Sequence, residues 1–187
     1  MKPALRRNLT VIFLFVVITV VVFNLCFKLF VIPSASMIPT LMPGDYIFVN
    51  KIGFGINIPF TDYKILKFRK PKKTEVIVFF PPHDREKAFV KRLIALENEK
   101  VALVNGNILI NDKQIVDPVI ARNYYYNQGM YAVNGESVIV PKDSYFFLGD
   151  NSISSADSRF WGFADEKGLI GKAVFIWWPP SRVNMIE

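Results

Sequence analysis

The sequence predicts a mostly β protein: a single N-terminal transmembrane helix followed by an all-β domain. Three observations support this. Residues 9–27 form an uncharged apolar run. Beyond them, short apolar segments alternate with turn residues such as Asn105-Gly106. No later segment has the periodicity of an amphipathic helix. Short strands with frequent turns are typical of all-β domains.

The apolar run has the length of a membrane span. Its 19 residues would make a helix roughly 28 Å long, close to the hydrocarbon thickness of a bilayer. Lys2, Arg6 and Arg7 precede it and predict a cytoplasmic N-terminus. We therefore assign residues 1–8 to a cytoplasmic tail, 9–29 to the membrane helix and 30–187 to an extracytoplasmic domain.

A cleaved secretory signal is the alternative interpretation of this N-terminus. Ser34-Ala35-Ser36 supplies the small residues of a cleavage site. The apolar run is longer than the core of such signals, which favours a retained anchor. The N-terminal sequence of the purified protein distinguishes the two.

A proline-rich stretch, residues 30–45, leads out of the apolar run. Pro33 and Pro39 enclose two hydroxyl residues, Ser34 and Ser36. Each proline restricts its own φ and pushes the preceding residue towards extended geometry. The stretch should therefore be non-helical and hold both hydroxyls on a stiff backbone at the membrane exit.

Candidate strands follow along the rest of the chain. Alternating or continuous apolar patterns predict them at residues 46–50, 75–80, 88–95, 101–104, 107–111, 138–141, 145–148 and 173–178. Residues 122–133 are a tyrosine-rich, polar excursion with no predicted element, and residues 149–162 form a loop.

The chain is basic, with 23 Lys and Arg against 16 Asp and Glu and a net charge of +7. Such a balance suits nucleic acid or an anionic membrane surface. No nucleic-acid-binding module is recognisable, so we predict no nucleic-acid partner. A cluster of Lys67, Arg69, Lys70, Lys72 and Lys73 fits either a solvated face or lipid headgroup contact.

The residue types narrow the possible chemistry. The single cysteine, Cys26, excludes an intrachain disulfide, and the single histidine, His83, lies in a polar turn and is predicted to be a surface residue. No metal-ligand cluster or phosphate loop is present, so we predict no cofactor and no metal. A serine nucleophile would then need a lysine base.

Lys91 is the lysine whose neighbours best fit that role. Strand alternation would place it between Phe89 and Leu93 on one face. A lysine base must be neutral, and lowering its pKa by three units through burial costs roughly 4 kcal/mol. The same pattern also fits a solvated or snorkelling lysine.

Four ordered motifs resemble those of bacterial type I signal peptidases. They are Pro33-Ser-Ala-Ser-Met-Ile-Pro-Thr-Leu41 with Gly44-Asp45, then Phe89-Val-Lys-Arg92, then Gly149-Asp-Asn151, and finally Ser155-Ala-Asp-Ser-Arg-Phe-Trp-Gly162. The resemblance implies a Ser-Lys dyad serine endopeptidase of the bacterial cytoplasmic (inner) membrane. Such an enzyme removes signal peptides from exported preproteins, cleaves after Ala-x-Ala-like sites, and needs no cofactor. The resemblance is also compatible with a monomer.

The resemblance also implies residue roles. Ser36 would be the nucleophile and Lys91 the general base. The Ser36 amide and the Ser34 hydroxyl would form the oxyanion hole. Ser155 would hydrogen-bond and orient the lysine, while Asp157 and Arg159 would form a supporting ion pair, with Asp150 beside them. Residues 103–140 would form a small accessory β cap.

The chain departs from the family pattern at Ala95-Leu-Glu-Asn-Glu-Lys100, at Ser152-Ile153 and at Thr74-Glu75. These departures keep open a specialised conjugation-type processing peptidase of the same superfamily. A catalytically silent, membrane-tethered β-domain that binds exported chains is a further alternative. Phe54, Phe60, Trp177 and Trp178 are candidates for contact with the lipid bilayer, and Trp177 fits a core position equally well.

Overall fold

The computed structural model describes residues 3–57, 64–65 and 69–186, and the side chains within 8–55 and 69–186. Lys2, Phe60 and Lys67 lie outside the described residues.

The mostly β prediction is confirmed. Three α-helices are described, α1 Pro3–Cys26, α2 Pro118–Ala121 and α3 Ser158–Trp161, and the last two are single turns. The described strands are β1 Phe27–Val31, β2 Tyr46–Asn50, β3 Ile56–Asn57, β4 Lys64–Ile65, β5 Val76–Phe79, β6 Phe89–Ala95, β7 Lys100–Val104, β8 Asn107–Ile110, β9 Lys113–Gln114, β10 Val138–Ile139, β11 Ser144–Leu148, β12 Ala164–Asp165, β13 Leu169–Trp178 and β14 Asn184–Met185.

Helix α1 contains a segment, Asn8–Cys26, that is long and apolar enough to span a membrane. The helix ends at Cys26, so the predicted membrane-helix boundary at residue 29 is wrong. Strand β1 begins at Phe27 and pairs antiparallel with β2 from Phe27↔Asn50 to Val31↔Tyr46. Phe27 still belongs to the apolar run and Lys28 follows it, but pairing with β2 gives the chain an extended conformation from Phe27 onwards.

The main sheet has the order β1-β2-β13-β5-β6-β11-β12, with β14 on β13, and its strand pairs are antiparallel. A second sheet, β10-β7-β8-β9, lies within residues 100–139, and β3 pairs with β4. The hairpin predicted at Asn105-Gly106 is confirmed: both residues have positive φ, 49° and 79°. Such values are required by the two-residue turns that match the twist of paired strands.

The core explains why β5 is a continuous apolar run. Val76 and Val78 face one cluster, which includes Met37 and Leu41. Ile77 and Phe79 face another, which includes Phe54 and Leu93. Because β5 is buried on both faces of the main sheet, it shows no alternation with polar residues. A third cluster joins the second sheet to β6 and β11.

Two surface predictions can be compared with the structure. Phe54 is only 3% exposed and lies in the core, so its assignment as an interfacial residue is wrong. Trp177 and Trp178 are 54% and 51% exposed, and Trp177 packs edge-on against Phe48.

The described part of the basic cluster is largely paired with acids. Arg69 pairs with Glu75 at 2.9 Å, Lys73 with Glu99 at 2.7 Å, and Lys70 with Glu97. This pairing favours the solvated-face interpretation over headgroup contact. Exposed pairs of this kind contribute little to stability.

Candidate active site

Ser36 lies in a short 3-10 helix, Ala35–Met37, between the extended residues Ser34 and Ile38. The turn is fixed to the core, because the side chains of Met37 and Leu41 are buried, at 1% and 0% exposed. The ends of the surrounding loop, residues 32–45, are joined by two hydrogen bonds of 2.8 Å. The Ile32 amide donates to the Asp45 carbonyl, and the Gly44 amide donates to the Ile32 carbonyl. The stretch predicted to be non-helical is therefore a loop with one 3-10 turn, and this turn carries Ser36.

Strand β6 brings Lys91 to this loop. Lys91 Nζ donates a hydrogen bond of 2.6 Å to Ser36 Oγ, and each residue is 5% exposed. Ser34 Oγ lies 3.3 Å from Ser36 Oγ. The Ser36 amide is in the first turn of the 3-10 helix, where N–H groups have no partner within the helix. A serine hydroxyl, a lysine side chain and two further hydrogen-bond donors thus lie together.

Burial is the main electrostatic influence on Lys91. It lowers the pKa of the Lys91 ammonium from 10.5 to about 8. The carboxylates of Asp157 and Asp150 act in the opposite direction, and Arg159 adds to the lowering. Desolvation outweighs these charges because the Lys91 side chain has almost no access to water.

Arg92 follows Lys91 and points to the opposite side of β6, as strand alternation requires. Its guanidinium forms a two-pronged ion pair with Asp150, with distances of 2.8 Å to Oδ1 and 2.7 Å to Oδ2. Both side chains are fully buried. Thr40 Oγ1 also donates to Asp150 Oδ2 at 2.5 Å. Arg92 and Thr40 were not predicted as site residues, although an arginine inside an apolar strand is a usable signal for a buried ion pair.

Asp157 and Arg159 form a second fully buried ion pair, with 2.8 Å between Arg159 Nε and Asp157 Oδ1. Arg159 also donates to Ser152 Oγ at 2.6 Å, to the Ser152 carbonyl at 2.7 Å and to the Tyr126 carbonyl at 2.9 Å. Asp157 Oδ2 accepts from the Gly149 amide at 3.0 Å. This pair ties together the segments that surround the serine and the lysine.

Ser155 differs from expectation. Its hydroxyl is buried but makes no hydrogen bond to any described residue, so the predicted bond to Lys91 is absent. Lys91 Nζ is directed at Ser36 instead. Ser155 packs against Gly149, where a Cβ would come within 2.2 Å of Ser155 Oγ and 2.5 Å of the Ser36 carbonyl oxygen. Only glycine permits this close approach of the two segments.

The serine and lysine open into a groove of about 650 Å3, which we call the catalytic groove. Its walls are mainly apolar and come from β1, the Ser36 loop and β6; they include Phe30, Ile32, Ser34, Phe89 and Val90. No three His, Cys, Asp or Glu side chains come together as a metal site within the part of the chain that the structure describes. The arrangement is suited to nucleophilic attack by Ser36 with Lys91 as base.

Comparison with known proteins decides the family. The family model described as "Signal peptidase, peptidase S26" matches residues 5–178. The chain belongs to this family. Its mostly β fold and N-terminal apolar helix accompany that membership, and the resemblance noted from the four motifs is confirmed.

Curated members of the signal peptidase family align over most of the chain. A signal peptidase I of Buchnera aphidicola subsp. Baizongia pistaciae is 32% identical over 79% of this chain and 68% of its own length. A probable signal peptidase I-2 of Synechocystis is 34% identical over 83% of this chain and 65% of its own length. A Helicobacter pylori signal peptidase I is 28% identical, covering 92% of this chain and 81% of its own length. A crystal structure of a signal peptidase I from Enterococcus faecalis is 29% identical over 56% of this chain and 97% of that one, with a TM-score of 0.45.

Proposed function

We propose that this chain is a membrane-anchored signal peptidase that removes signal peptides from exported preproteins through a Ser36-Lys91 dyad. The observation that carries the proposal is the 2.6 Å hydrogen bond between Lys91 Nζ and Ser36 Oγ in a buried site. Its occurrence in a member of the signal peptidase family supports hydrolysis of a peptide bond as the reaction. Helix α1 would anchor the chain in the bacterial cytoplasmic membrane, with its N-terminus in the cytoplasm.

The acylation step uses both members of the dyad. Neutral Lys91 takes the proton of the Ser36 hydroxyl as Oγ attacks the scissile carbonyl carbon. The Ser36 amide and the Ser34 hydroxyl donate to the oxyanion, where donors aimed at developing charge have their largest effect. The Lys91 ammonium then gives its proton to the departing amine. The mature protein leaves, and the signal peptide remains as an ester on Ser36.

Deacylation regenerates the enzyme. Lys91, neutral again, takes a proton from a water molecule that attacks the ester carbonyl. The ester bond breaks, Ser36 recovers its proton from Lys91, and the signal peptide leaves with a new carboxyl group, which releases its proton to solvent. The buried pairs Arg92-Asp150 and Asp157-Arg159 support the segments that carry the reacting groups, without proton transfer of their own.

Cleavage of a preprotein tests the proposed function. We expect the purified full chain, in detergent micelles, to cut a preprotein once, after an Ala-x-Ala sequence, as shown by sequencing the new N-terminus. A tryptophan in place of the alanine directly before the bond should abolish cleavage, because the family's pockets take small residues. No cleavage across a panel of preproteins would refute the proposal. Cleavage of one dedicated substrate alone would favour the specialised conjugation-type peptidase.

The rate should depend on pH through Lys91. The base must be neutral, and burial lowers its pKa to about 8. We therefore expect kcat/KM to rise with pH and to level off above a midpoint near 8. The measurement is kcat/KM for a peptide without titratable side chains between pH 6 and 10. A rate that is already maximal at pH 6 would contradict the assignment of Lys91 as base.

A further inference from the structure

The tyrosine-rich excursion that the sequence left without a role borders a second groove. Residues 122–126, which we call the tyrosine arm, run along one wall of a cavity of about 390 Å3. The other wall includes Ile38, Pro39, Asn151 and Ser154. Ser154 also lines the catalytic groove, so the two cavities are neighbours.

The two grooves are lined by successive parts of the Ser36 loop. Phe30 to Ser34, Ser36 and Met37 line the catalytic groove, and the next two residues, Ile38 and Pro39, line the second groove. Asn151 joins the two, because its amide donates to the Ser36 carbonyl at 3.0 Å and its side chain to the Ala35 carbonyl at 3.1 Å. A substrate with its signal segment in the catalytic groove would therefore continue into the second groove after the scissile bond.

The tyrosine arm is attached to the same residues that support the catalytic site. The Tyr126 amide donates to Ser152 Oγ at 2.9 Å, and Arg159 donates to the Tyr126 carbonyl at 2.9 Å. Tyr124 and Tyr126 stack edge to face, with ring centroids 4.9 Å apart, while remaining 58% and 41% exposed. The groove wall is thus a fixed surface with accessible aromatic rings.

The charge of the second groove is positive. Arg122 is exposed at the groove and donates a hydrogen bond of 3.3 Å to Thr40 Oγ1. The acid beside it, Asp150, is neutralised by buried Arg92. A polar cavity of about 440 Å3 continues past Arg122 to Arg182, whose guanidinium is paired with Asp45 at 2.8 Å, so the uncompensated positive charge is that of Arg122. A segment with an acidic side chain complements this surface better than a basic one.

We propose that the tyrosine arm binds the residues that follow the scissile bond, and that Arg122 receives an acidic side chain among the first few of them. This inference rests on the proposed function. The residues concerned depart with the amine when the acyl-enzyme forms. Their effect therefore falls on acylation, measured as kcat/KM, and leaves hydrolysis of the acyl-enzyme untouched.

The experiment uses the full chain in detergent micelles and a set of peptides identical up to the scissile bond. Each peptide carries Glu, Gln or Lys at one of the second to fifth positions after the bond. The enzymes compared are the wild type, Arg122→Glu and Lys113→Glu. Lys113 is exposed on β9, away from both grooves, so its substitution matches the change in net charge.

At one or more positions, we expect the wild type to cleave the Glu peptide roughly fivefold faster than the Lys peptide, the size of an exposed charge interaction. Arg122→Glu should reverse that ratio, and Lys113→Glu should keep it. Cleavage without a Glu/Lys preference, or a preference that both variants change alike, overturns the inference while leaving the proposed function intact. Failure of the wild type to cleave even the Gln peptides counts against the proposed function itself.

Discussion

Replacing Lys91 with methionine should lower kcat by about four orders of magnitude while preserving the fold. Methionine keeps the length and apolar body of the lysine side chain but cannot take a proton from Ser36. Burial lowers the pKa of Lys91, which means that the site disfavours the ammonium form. The variant should therefore resist urea at least as well as the wild type at pH 7. The measurements are single-turnover cleavage and an unfolding curve.

Three further variants make the test specific. Ser36→Ala should cause a loss of similar size, and the double variant should be no worse than either single one, since the two residues act as a unit. Lys113→Met, on the exposed strand β9, should cleave at the wild-type rate. Retention of more than about one tenth of the wild-type rate by Lys91→Met would exclude the dyad, because general-base catalysis is worth at least 100-fold.

Replacing Arg159 with methionine should destabilise the protein by about 3–5 kcal/mol. The substitution leaves Asp157 charged and fully buried, with its ion-pair partner removed. It also removes the donors to the Ser152 and Tyr126 carbonyls, which connect the α3 segment to the tyrosine arm. The free energy of unfolding in urea, at constant detergent concentration, measures this loss.

Arg85→Met is the matched control for Arg159. Arg85 pairs with Asp165 at 2.5 Å, but both side chains are about half exposed, at 50% and 45%. Its loss should cost at most about 1 kcal/mol. Adding Asp157→Leu to Arg159→Met should recover part of the stability, because the uncompensated buried charge is then absent. Equal losses for Arg85→Met and Arg159→Met would contradict this account of the buried pair.

Much of the fold could be predicted from local patterns. The apolar run predicted helix α1, and the Asn105-Gly106 turn located a hairpin whose backbone angles the structure confirms. Strand β1 was not predicted, because Phe27 still belongs to the apolar run and the extended conformation of residues 27–31 depends on pairing with β2. Two-residue strands such as β12 and β14 are too short to show any period.

The candidate site, like the fold, could be predicted only in part. Lys91 was distinguished by Phe89 and Leu93 on either side, and motif order connected it to Ser36. The 2.6 Å contact itself joins positions 55 residues apart and depends on how β6 packs against the Ser36 loop. The predicted Ser155 bond is absent, and Lys91 bonds to Ser36. The contacts of Arg92, Thr40 and the tyrosine arm depend on partners far away in the sequence.

The sequence by itself therefore determined the membrane-length helix, the β character of the rest, and the residue types able to react, because these follow from local apolar patterns and side-chain chemistry. The tertiary structure decided where the helix stops, which hydroxyl the lysine meets, how far burial lowers the pKa of that lysine, and where a positive groove opens beyond Ser36. Each of these depends on contacts between segments that are far apart in the sequence. The separation of two residues along the chain does not show how close they are in space.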